Sequence, residues 1–189
     1  MLLRPPSDFV YVYKNPRHDE IKKRLMPKIE QACIDYPDEL KSKDWHCTLV
    51  SSFHKQLDIF DDDTIHQIVW EPCDNMFMET PLSYAPKHST LQHIWFNRYK
   101  TGQFQEVHAH DHGVASFSGI YLLDVSGPNE TVFSSITGSP FLQWQIDTSK
   151  NENIREGCTL IFPSTLQHFV NPVSTDRTSI AFNIQSDFS

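Results

Sequence analysis

Three histidines and an aspartate crowd into one short stretch of this 189-residue chain, HAHDH at residues 108–112. If the stretch ends a β-strand, alternate side chains point to one face, so His108 with His110, or His110 with His112, can direct two imidazoles at one point. Imidazole and carboxylate groups are common metal ligands, so Asp111 and the three histidines are all candidates. A solvated, histidine-rich loop is the alternative interpretation.

A second candidate ligand lies in EGCTLIFPSTLQHFV, residues 156–170. Leu160-Ile161-Phe162 has the composition of a buried strand, Pro163-Ser164 turns the chain, and the next strand carries His168. A lone histidine in a strand is more often a core residue. The signal therefore gains weight only if the fold places His168 opposite the HAHDH cluster.

Arg177 and Ser179 open the last predicted strand, with their side chains on the same face. A guanidinium can hold a carboxylate through two parallel hydrogen bonds, and a serine hydroxyl can add a third. The two residues are therefore a candidate carboxylate-binding site, provided that the strand directs Arg177 inward. An exposed arginine in the turn after Asp176 is the alternative.

The elements that must position these residues follow Tyr84, where the chain becomes rich in β-branched and aromatic residues separated by turn-forming residues. Eight short strands favour a mainly β jelly roll, or double-stranded β-helix, in which two four-stranded sheets face each other. Its second and seventh strands are neighbours at one open end, so His168 is expected to face the HAHDH cluster. The predicted strands are residues 91–100, 103–109, 116–125, 131–136, 141–146, 158–162, 166–170 and 178–184.

The first part of the chain has a different pattern. Residues 1–87 mix helical and extended signals, with residues 44–53 extended, whereas residues 88–189 hold the predicted jelly roll. A chain of this length fits one domain with a sizeable core. We therefore expect one structural unit, in which residues 1–87 form an extension that packs on the β core.

Two helices are predicted in this extension. Asn15-Pro16 is typical of a helix start, and apolar residues at every fourth position predict a helix over residues 16–36, kinked at Pro27 or divided there into two short helices. The second helix is predicted over residues 63–71, ending before Pro72. Both helices are expected to pack outside the jelly roll.

Composition and charge exclude several classes of protein. The chain is 39% hydrophobic and 21% charged with a net charge of -8, which disfavours bulk binding to the phosphate backbone of nucleic acids. No apolar run is long enough for a membrane span, and the N-terminus lacks the features of a secretory signal. The four cysteines form no CxxC pair, which is typical of reduced thiols in a cytoplasmic protein.

Together these motifs resemble the iron(II)- and 2-oxoglutarate-dependent oxygenase superfamily. Two stretches carry the resemblance: WFNRYKTGQFQEVHAHDHGVASFSGIYLL at residues 95–123 and EGCTLIFPSTLQHFVNPVSTDRTSIAFN at residues 156–183. More narrowly, they are similar to oxygenases of tailed bacteriophages, notably phages of marine cyanobacteria, as is DWHCTLVSSF at residues 44–53. The resemblance covers about residues 44–184 and, if a phage encodes the chain, implies the host cytoplasm as its location.

The resemblance implies iron(II) as the metal, 2-oxoglutarate as the co-substrate and dioxygen as the oxidant. In that superfamily a His-x-Asp or His-x-Glu pair and a distal histidine hold the iron. Carried over, His108, His110 and His168 hold the metal. The chain departs from the pattern because it has histidine where the superfamily has a carboxylate. A register with His110 and His112, or a ligand set that includes Asp111, therefore stays open.

The same resemblance implies that Arg177 and Ser179 bind the distal carboxylate of 2-oxoglutarate. Weaker candidates for further polar contacts are Asn97, Tyr99 and Tyr121. The implied activity couples decarboxylation of 2-oxoglutarate to oxidation, most simply hydroxylation, of a primary substrate that the sequence does not identify. The oligomeric state is also left open, with a homodimer as one option.

Two alternatives from other classes are kept. A cupin-like metal enzyme with an all-histidine site would use no 2-oxoglutarate and would need no arginine at position 177. A non-catalytic jelly-roll protein would hold a metal such as zinc or nickel without turnover. The environment of Arg177 discriminates between these alternatives and the oxygenase, because only the oxygenase needs an anchor for a dicarboxylate.

Overall fold

Strands dominate the computed structural model, which describes residues 9–42, 46, 49–79, 86–110, 115–135 and 144–187. A π-helical turn, His66–Trp70, joins the second and third helices, and a 3-10 turn, Thr148–Lys150, follows the seventh strand. The other elements, in chain order, are β1 Tyr11–Lys14, α1 His18–Asp35, β2 Val50–Ser51, α2 Asp62–Ile65, α3 Glu71–Glu79, β3 His88–Tyr99, β4 Gln105–His108, β5 Phe117–Val125, β6 Thr131–Ser135, β7 Trp144–Asp147, β8 Cys158–Pro163, β9 Gln167–Val170 and β10 Arg177–Asp187.

The strands form two antiparallel sheets. The large sheet has six strands in the order β1-β8-β5-β10-β3-β2, and the small sheet has four in the order β4-β9-β6-β7. The strands from β3 to β10 alternate between the two sheets except for β6 and β7, which form a hairpin in the small sheet, and this is the arrangement of a jelly roll, so the predicted fold class is confirmed. The N-terminal strands β1 and β2 extend the large sheet at its two edges.

Each of the eight predicted strands is present, with shifts of a few residues at the ends. The first begins at His88 and the last runs from Arg177 to Asp187, so both are longer than predicted. Residues 141–143 of the predicted fifth strand lie outside the described residues. The sequence pattern did not reveal β1, because its four residues become a strand only by pairing with β8.

Helix α1 is one continuous helix through Pro27, so of the two predicted alternatives, a kink and a division into two helices, the division does not occur. Pro27 lacks the N–H that would bond the carbonyl of Lys23, and both residues are exposed, so water can satisfy that carbonyl. The opposite side of α1 buries an apolar stripe that holds the helix against the large sheet. The stripe consists of Ile21, Leu25, Ile29 and Ala32.

The second predicted helix continues past Pro72 to Glu79, so the prediction that it ends before Pro72 is wrong. The cause is the π-helical turn, in which the Glu71 N–H bonds the carbonyl of His66, one residue further back than in an α-helix. Pro72 therefore falls where the hydrogen-bond register changes, and it occupies the first turn of α3, where a missing N–H costs little.

Two apolar layers hold the elements together. One lies between the helices and the outer face of the large sheet, where Leu25 of α1 and Met76 of α3 share a cluster with Phe182. The other lies between the two sheets, where Phe133 of the small sheet packs with Phe162 of the large sheet. The helices thus pack outside the jelly roll, as predicted.

The structure describes three of the four cysteines and most of the chain in which a spanning helix could lie. Cys33, Cys73 and Cys158 are free thiols, and Cys47 lies outside the described residues. None of the helices in the described ranges is both long enough and apolar enough to cross a bilayer.

A polar cluster fastens α1 to the large sheet. His18 of α1 bonds the Tyr121 hydroxyl through Nδ1 at 2.7 Å and donates from Nε2 to Glu156 Oε1 at 3.0 Å. Glu156 also accepts from Lys22 Nζ and from the Val125 N–H, both at 2.8 Å. Burial alone would raise the pKa of Glu156, but hydrogen bonds from these three partners outweigh it and lower the pKa below its usual 4.5.

Replacing Glu156 with Gln should therefore lower the free energy of unfolding by about 1–3 kcal/mol at neutral pH. Because the pKa is lowered in the folded state, this stabilisation is complete above pH 4.5 and is lost as the pH falls through the folded pKa. Thermal unfolding from acid to neutral pH measures both effects. Glu152→Gln, at an exposed position, is the control, and equal stability of wild type and Glu156→Gln at neutral pH would contradict the role.

Candidate metal centre and its pocket

Three histidines converge at one end of the space between the sheets. Strands β4 and β9 pair antiparallel with His108 directly opposite His168, and His110 follows just beyond the end of β4. The candidate ligand atoms of these three histidines all lie within 4.8 Å of one another. The topology thus brings together the three residues that the sequence pattern favoured, whereas Asp111 and His112 lie outside the described residues.

Backbone carbonyls set the tautomers of two of these rings. His108 Nδ1 donates to the carbonyl of Glu106 at 2.8 Å, and His168 Nδ1 donates to the carbonyl of Leu166 at 3.1 Å. A carbonyl can only accept, so Nδ1 carries the proton and Nε2 keeps its lone pair. The backbone N–H of His110 bonds the carbonyl of Ser164 at 2.7 Å, which fixes the chain as it leaves β4.

Burial favours the uncharged form of two of these histidines. Burial is the main reason that the pKa of His168 lies well below its usual value, and the nearby His108 and His110 lower it further. Burial also lowers the pKa of His108. Neutral imidazoles with converging lone pairs are the form that binds a metal ion, so the three residues fit a divalent transition metal.

Arg177 lies inside the same space with little to balance its charge. It is only 2% exposed, its Nη2 donates to Thr131 Oγ1 at 3.0 Å, and its guanidinium lies 5.4 Å from the centre of the Tyr99 ring. Its Nε and Nη1 have no hydrogen-bond partner among the described residues. Glu130 attracts Arg177 electrostatically but makes no hydrogen bond to it. Glu130 Oε1 instead accepts a hydrogen bond from the Ser174 N–H.

The neighbouring Asp176, which could have satisfied Arg177, turns away. Asp176 accepts from Lys100 Nζ at 2.7 Å and from the Thr101 N–H at 3.0 Å. Burial lowers the pKa of Arg177, because the protein interior stabilises a charged guanidinium less than water does. Two orphaned donors on a buried cation are the feature that a carboxylate ligand would satisfy.

One pocket connects the histidines with Arg177. Ser179 and Asn97 also line it, as does Tyr99, whose hydroxyl donates to Gln105 Oε1 at 2.8 Å. Its free volume is about 20 Å³, which is room for about one water rather than for a dicarboxylate. Side chains on its wall must therefore shift when a larger ligand binds.

Tyr121 does not line this pocket, contrary to expectation. Alternate residues of β5 face opposite ways, and Ser118 and Ile120 face the pocket. Tyr121 therefore points to the helical side of the sheet, where its hydroxyl bonds His18. Burial raises its pKa, and the nearby Glu156 adds to that shift. Its place is in the cluster that fastens α1, not in the candidate site.

The sequence analysis missed several pocket residues. Trp95 and Gln105 line the pocket, and Thr131 bonds Arg177 from a strand 46 residues away in sequence. Trp95 had a usable signal, because it alternates with Asn97 and Tyr99 along one predicted strand. Thr131 had none, since only the pairing of the strands places it beside Arg177.

The comparisons with known proteins agree with this geometry. Residues 93–183 match the sequence model of a family described as "Putative 2OG-Fe(II) oxygenase". The matched segment contains His108, His110, His168 and Arg177. No curated protein matches the sequence at a significant level.

Several solved structures share the fold. A prolyl-4-hydroxylase from Pseudomonas putida aligns with a TM-score of 0.59 and 14% identity, over 94% of this chain and 93% of that chain. The viral collagen prolyl hydroxylase of Paramecium bursaria Chlorella virus-1, in complex with 2-oxoglutarate, gives 0.53 and 16%, over 95% and 97%. The α-ketoglutarate-dependent epimerase SnoN from nogalamycin biosynthesis gives 0.68 and 8%, over 95% and 78%. At these identities the likeness shows a shared fold.

Replacing His168 with Ala should weaken the binding of a divalent metal by more than about 100-fold, because it removes one of three converging ligands. Calorimetric titration with Mn²⁺ or Co²⁺ measures the affinity. His88→Ala, at an exposed histidine on the first part of β3, should leave it unchanged. A folded His168→Ala protein with wild-type metal affinity would show that His168 is not a ligand.

Proposed function

We propose that this chain is a member of the 2OG-Fe(II) oxygenase superfamily, and we propose how it holds its metal and its co-substrate. The chain is an enzyme that uses iron(II), 2-oxoglutarate and dioxygen, and it couples decarboxylation of 2-oxoglutarate to oxidation of a primary substrate. Hydroxylation of a C–H bond is the form of oxidation that we propose.

His108, His110 and His168 are the proposed iron ligands. The convergence of their ligand atoms and the lowered pKa values of His108 and His168 support this assignment. His110 then stands where the superfamily has a carboxylate, which leaves the bound metal one unit more positive than usual. A register that uses His112 or Asp111 remains the alternative assignment. When bound, iron(II) with 2-oxoglutarate and dioxygen supplies the oxidant for the substrate.

Arg177 is the proposed anchor for the distal carboxylate of 2-oxoglutarate. The observation that carries this proposal is its buried guanidinium, which has two donors without partners and faces the same pocket as the histidines. A bound carboxylate would satisfy both donors and neutralise the charge. Ser179, two residues further along the same face of β10, can add a third hydrogen bond, and Asn97 lines the wall beside it.

The environment of Arg177 disfavours the two alternative functions. Neither a cupin-like enzyme that uses no 2-oxoglutarate nor a non-catalytic metal-binding protein has a use for a buried arginine with two donors that lack hydrogen-bond partners. Such a group costs stability unless an anion binds it. In an oxygenase the buried Arg177 guanidinium recognises the co-substrate, which explains why it is buried although it lowers the stability of the protein.

Three finer points complete the proposal. We propose a relationship to the oxygenases of tailed bacteriophages on the stretches at residues 95–123 and 156–183, with the cytoplasm of the host as the location. We also propose that residues 1–87 act as an extension of a catalytic core formed by residues 88–189. Its contribution would be two edge strands and the helices that cover the outer face of the large sheet.

Decarboxylation of 2-oxoglutarate by the iron(II)-loaded protein in air tests the activity. Succinate should form slowly even without a primary substrate, and it should be absent when Zn²⁺ replaces iron. The His168→Ala variant is the inactive control. If the metal binds and succinate does not form above the level of this control, a cupin-like or non-catalytic function becomes the better assignment.

Replacing Arg177 with Leu should weaken binding of 2-oxoglutarate by on the order of 2–5 kcal/mol, because a desolvated charge pair is lost. Arg177→Lys keeps the charge but not the two-pronged geometry, so its loss should be clear but smaller. Metal affinity should survive in both variants. Titration of the Mn²⁺-loaded proteins with 2-oxoglutarate measures these effects.

The control for these variants is Arg155→Leu, which removes an exposed arginine. It should bind 2-oxoglutarate as the wild type does. If the Arg177→Leu protein is folded, holds Mn²⁺ and binds 2-oxoglutarate with wild-type affinity, Arg177 is not the anchor of 2-oxoglutarate.

A further inference from the structure

We propose that Phe53, His93 and Trp95 form the wall that receives the primary substrate, and that the part of the substrate they receive is an uncharged ring. We call these three residues the aromatic wall. The proposal rests on the proposed function, because it takes Arg177 as the end of the pocket that 2-oxoglutarate occupies. It adds the substrate class, which the family assignment leaves open.

The pairing of β3 with β10 gives the pocket a direction. Along the facing rows, Arg177 is opposite Tyr99, Ser179 is opposite Asn97, Ala181 is opposite Trp95, and Asn183 is opposite His93. Arg177 and Tyr99 are each 2% exposed, so that end is closed. Asn183 and His93, the next pair along these rows beyond the residues that line the pocket, are only partly buried. A substrate therefore approaches the histidine centre from the His93 end.

The aromatic wall is continuous from solvent to the metal centre. The ring centres of Phe53, His93 and Trp95 lie 4.9–5.0 Å apart in every pair. Phe53 is 38% exposed and Trp95 is 5% exposed, so the wall runs inward from its rim. Its inner ring, Trp95, lies 6.0 Å from the ring of His110. A group that packs on the wall is therefore held beside the proposed iron ligands.

Hydrogen bonds keep the wall in place. Ser52, next to Phe53, donates its N–H to the carbonyl of Phe96 and accepts the Phe96 N–H on its hydroxyl, both at 3.0 Å. In the amide orientation that matches its neighbours, Asn97 donates to Ser51 Oγ at 2.7 Å and accepts from Trp95 Nε1 at 3.3 Å. The rings are thus ordered before a substrate binds, which lowers the entropy cost of binding.

The charges around the wall select an uncharged group. Among the described residues that line the pocket, Arg177 is the only one with a charged side chain, and the co-substrate neutralises it. Burial, with the nearby His54, lowers the pKa of His93 and favours its neutral form. A charged group in contact with the wall would lose its water without gaining a counter-charge from the described side chains of the wall.

The shape of the wall selects a ring. Aromatic faces pack best on flat or rigid apolar groups, which present a large area and lose little conformational freedom. Ala181, beside Trp95 on the neighbouring strand, is small and adds no bulk next to the inner ring. Once the side chains of the pocket shift to admit it, an uncharged aliphatic ring packed on Trp95 would present C–H bonds to the metal centre.

Four small probes test the proposal on the full chain loaded with Mn²⁺ and 2-oxoglutarate. They are cyclohexanecarboxamide, its anionic analogue cyclohexanecarboxylate, its cationic analogue cyclohexylmethylammonium, and the open-chain hexanamide. The paramagnetic Mn²⁺ relaxes the protons of any probe held near the metal centre, so NMR relaxation measures both binding and proximity. The uncharged ring should bind most tightly.

Variants connect the binding to the wall. Phe53→Ala should weaken binding of cyclohexanecarboxamide about 3- to 10-fold, the range expected for one aromatic contact. Phe104→Ala removes a phenyl ring that is also 38% exposed and should have no effect. Trp95→Leu should weaken binding more than Trp95→Phe, which keeps a ring. Phe53 lies at the exposed rim, so its variant decides the matter even if the Trp95 variants do not fold.

Tighter binding of a charged probe, equal binding of hexanamide, an unchanged affinity in Phe53→Ala, or no relaxation of any probe would each overturn the proposal. Titration with Mn²⁺ and 2-oxoglutarate beforehand separates this failure from a failure of the proposed function. A protein that takes up neither the metal nor the co-substrate refutes the proposed function, whereas one that takes up both and ignores the uncharged ring refutes only the aromatic wall.

Discussion

The antiparallel pairing of β4 with β9 sets the geometry on which the candidate site depends. It places His108 opposite His168, on strands that are sixty residues apart in the chain, and it brings the end of β4 and His110 to the same point. Both paired histidines bond the carbonyl two residues earlier, so the strand backbone also fixes their tautomers. A slip of one residue would turn one imidazole to the other face and separate the ligands.

The charge of the pocket is opposite in sign to the net charge of the chain. The protein carries a net charge of -8, yet its pocket holds a buried arginine and three histidines, and no carboxylate lines it among the described residues. A metal ion would make the pocket still more positive, so a dicarboxylate is favoured inside although anions are repelled by the surface. The Arg177 guanidinium, with two donors unsatisfied, is poised for such a ligand.

Much of this follows from local pattern. Alternating apolar residues and turn-forming residues located the strands from β3 to β10, because each strand must bury one face. The strand order of a jelly roll then predicted that His168 faces the HAHDH cluster and that Arg177 lies on the last strand of the same sandwich. The weakest predictions concerned prolines. Pro27 and Pro72 do not interrupt their helices. At Pro27, water can bond the carbonyl of the exposed Lys23, and at Pro72 a π-helical turn changes the hydrogen-bond register.

The sequence by itself determined the fold class and the residues able to hold a metal and a carboxylate, since strand periodicity and side-chain chemistry are local properties. Only the tertiary structure decided which face Tyr121 occupies, that Thr131 is the partner of Arg177, and that Trp95 lies beside His110. These contacts depend on the register between strands distant in sequence. That register is set by the packing of both apolar layers together, which no single segment encodes.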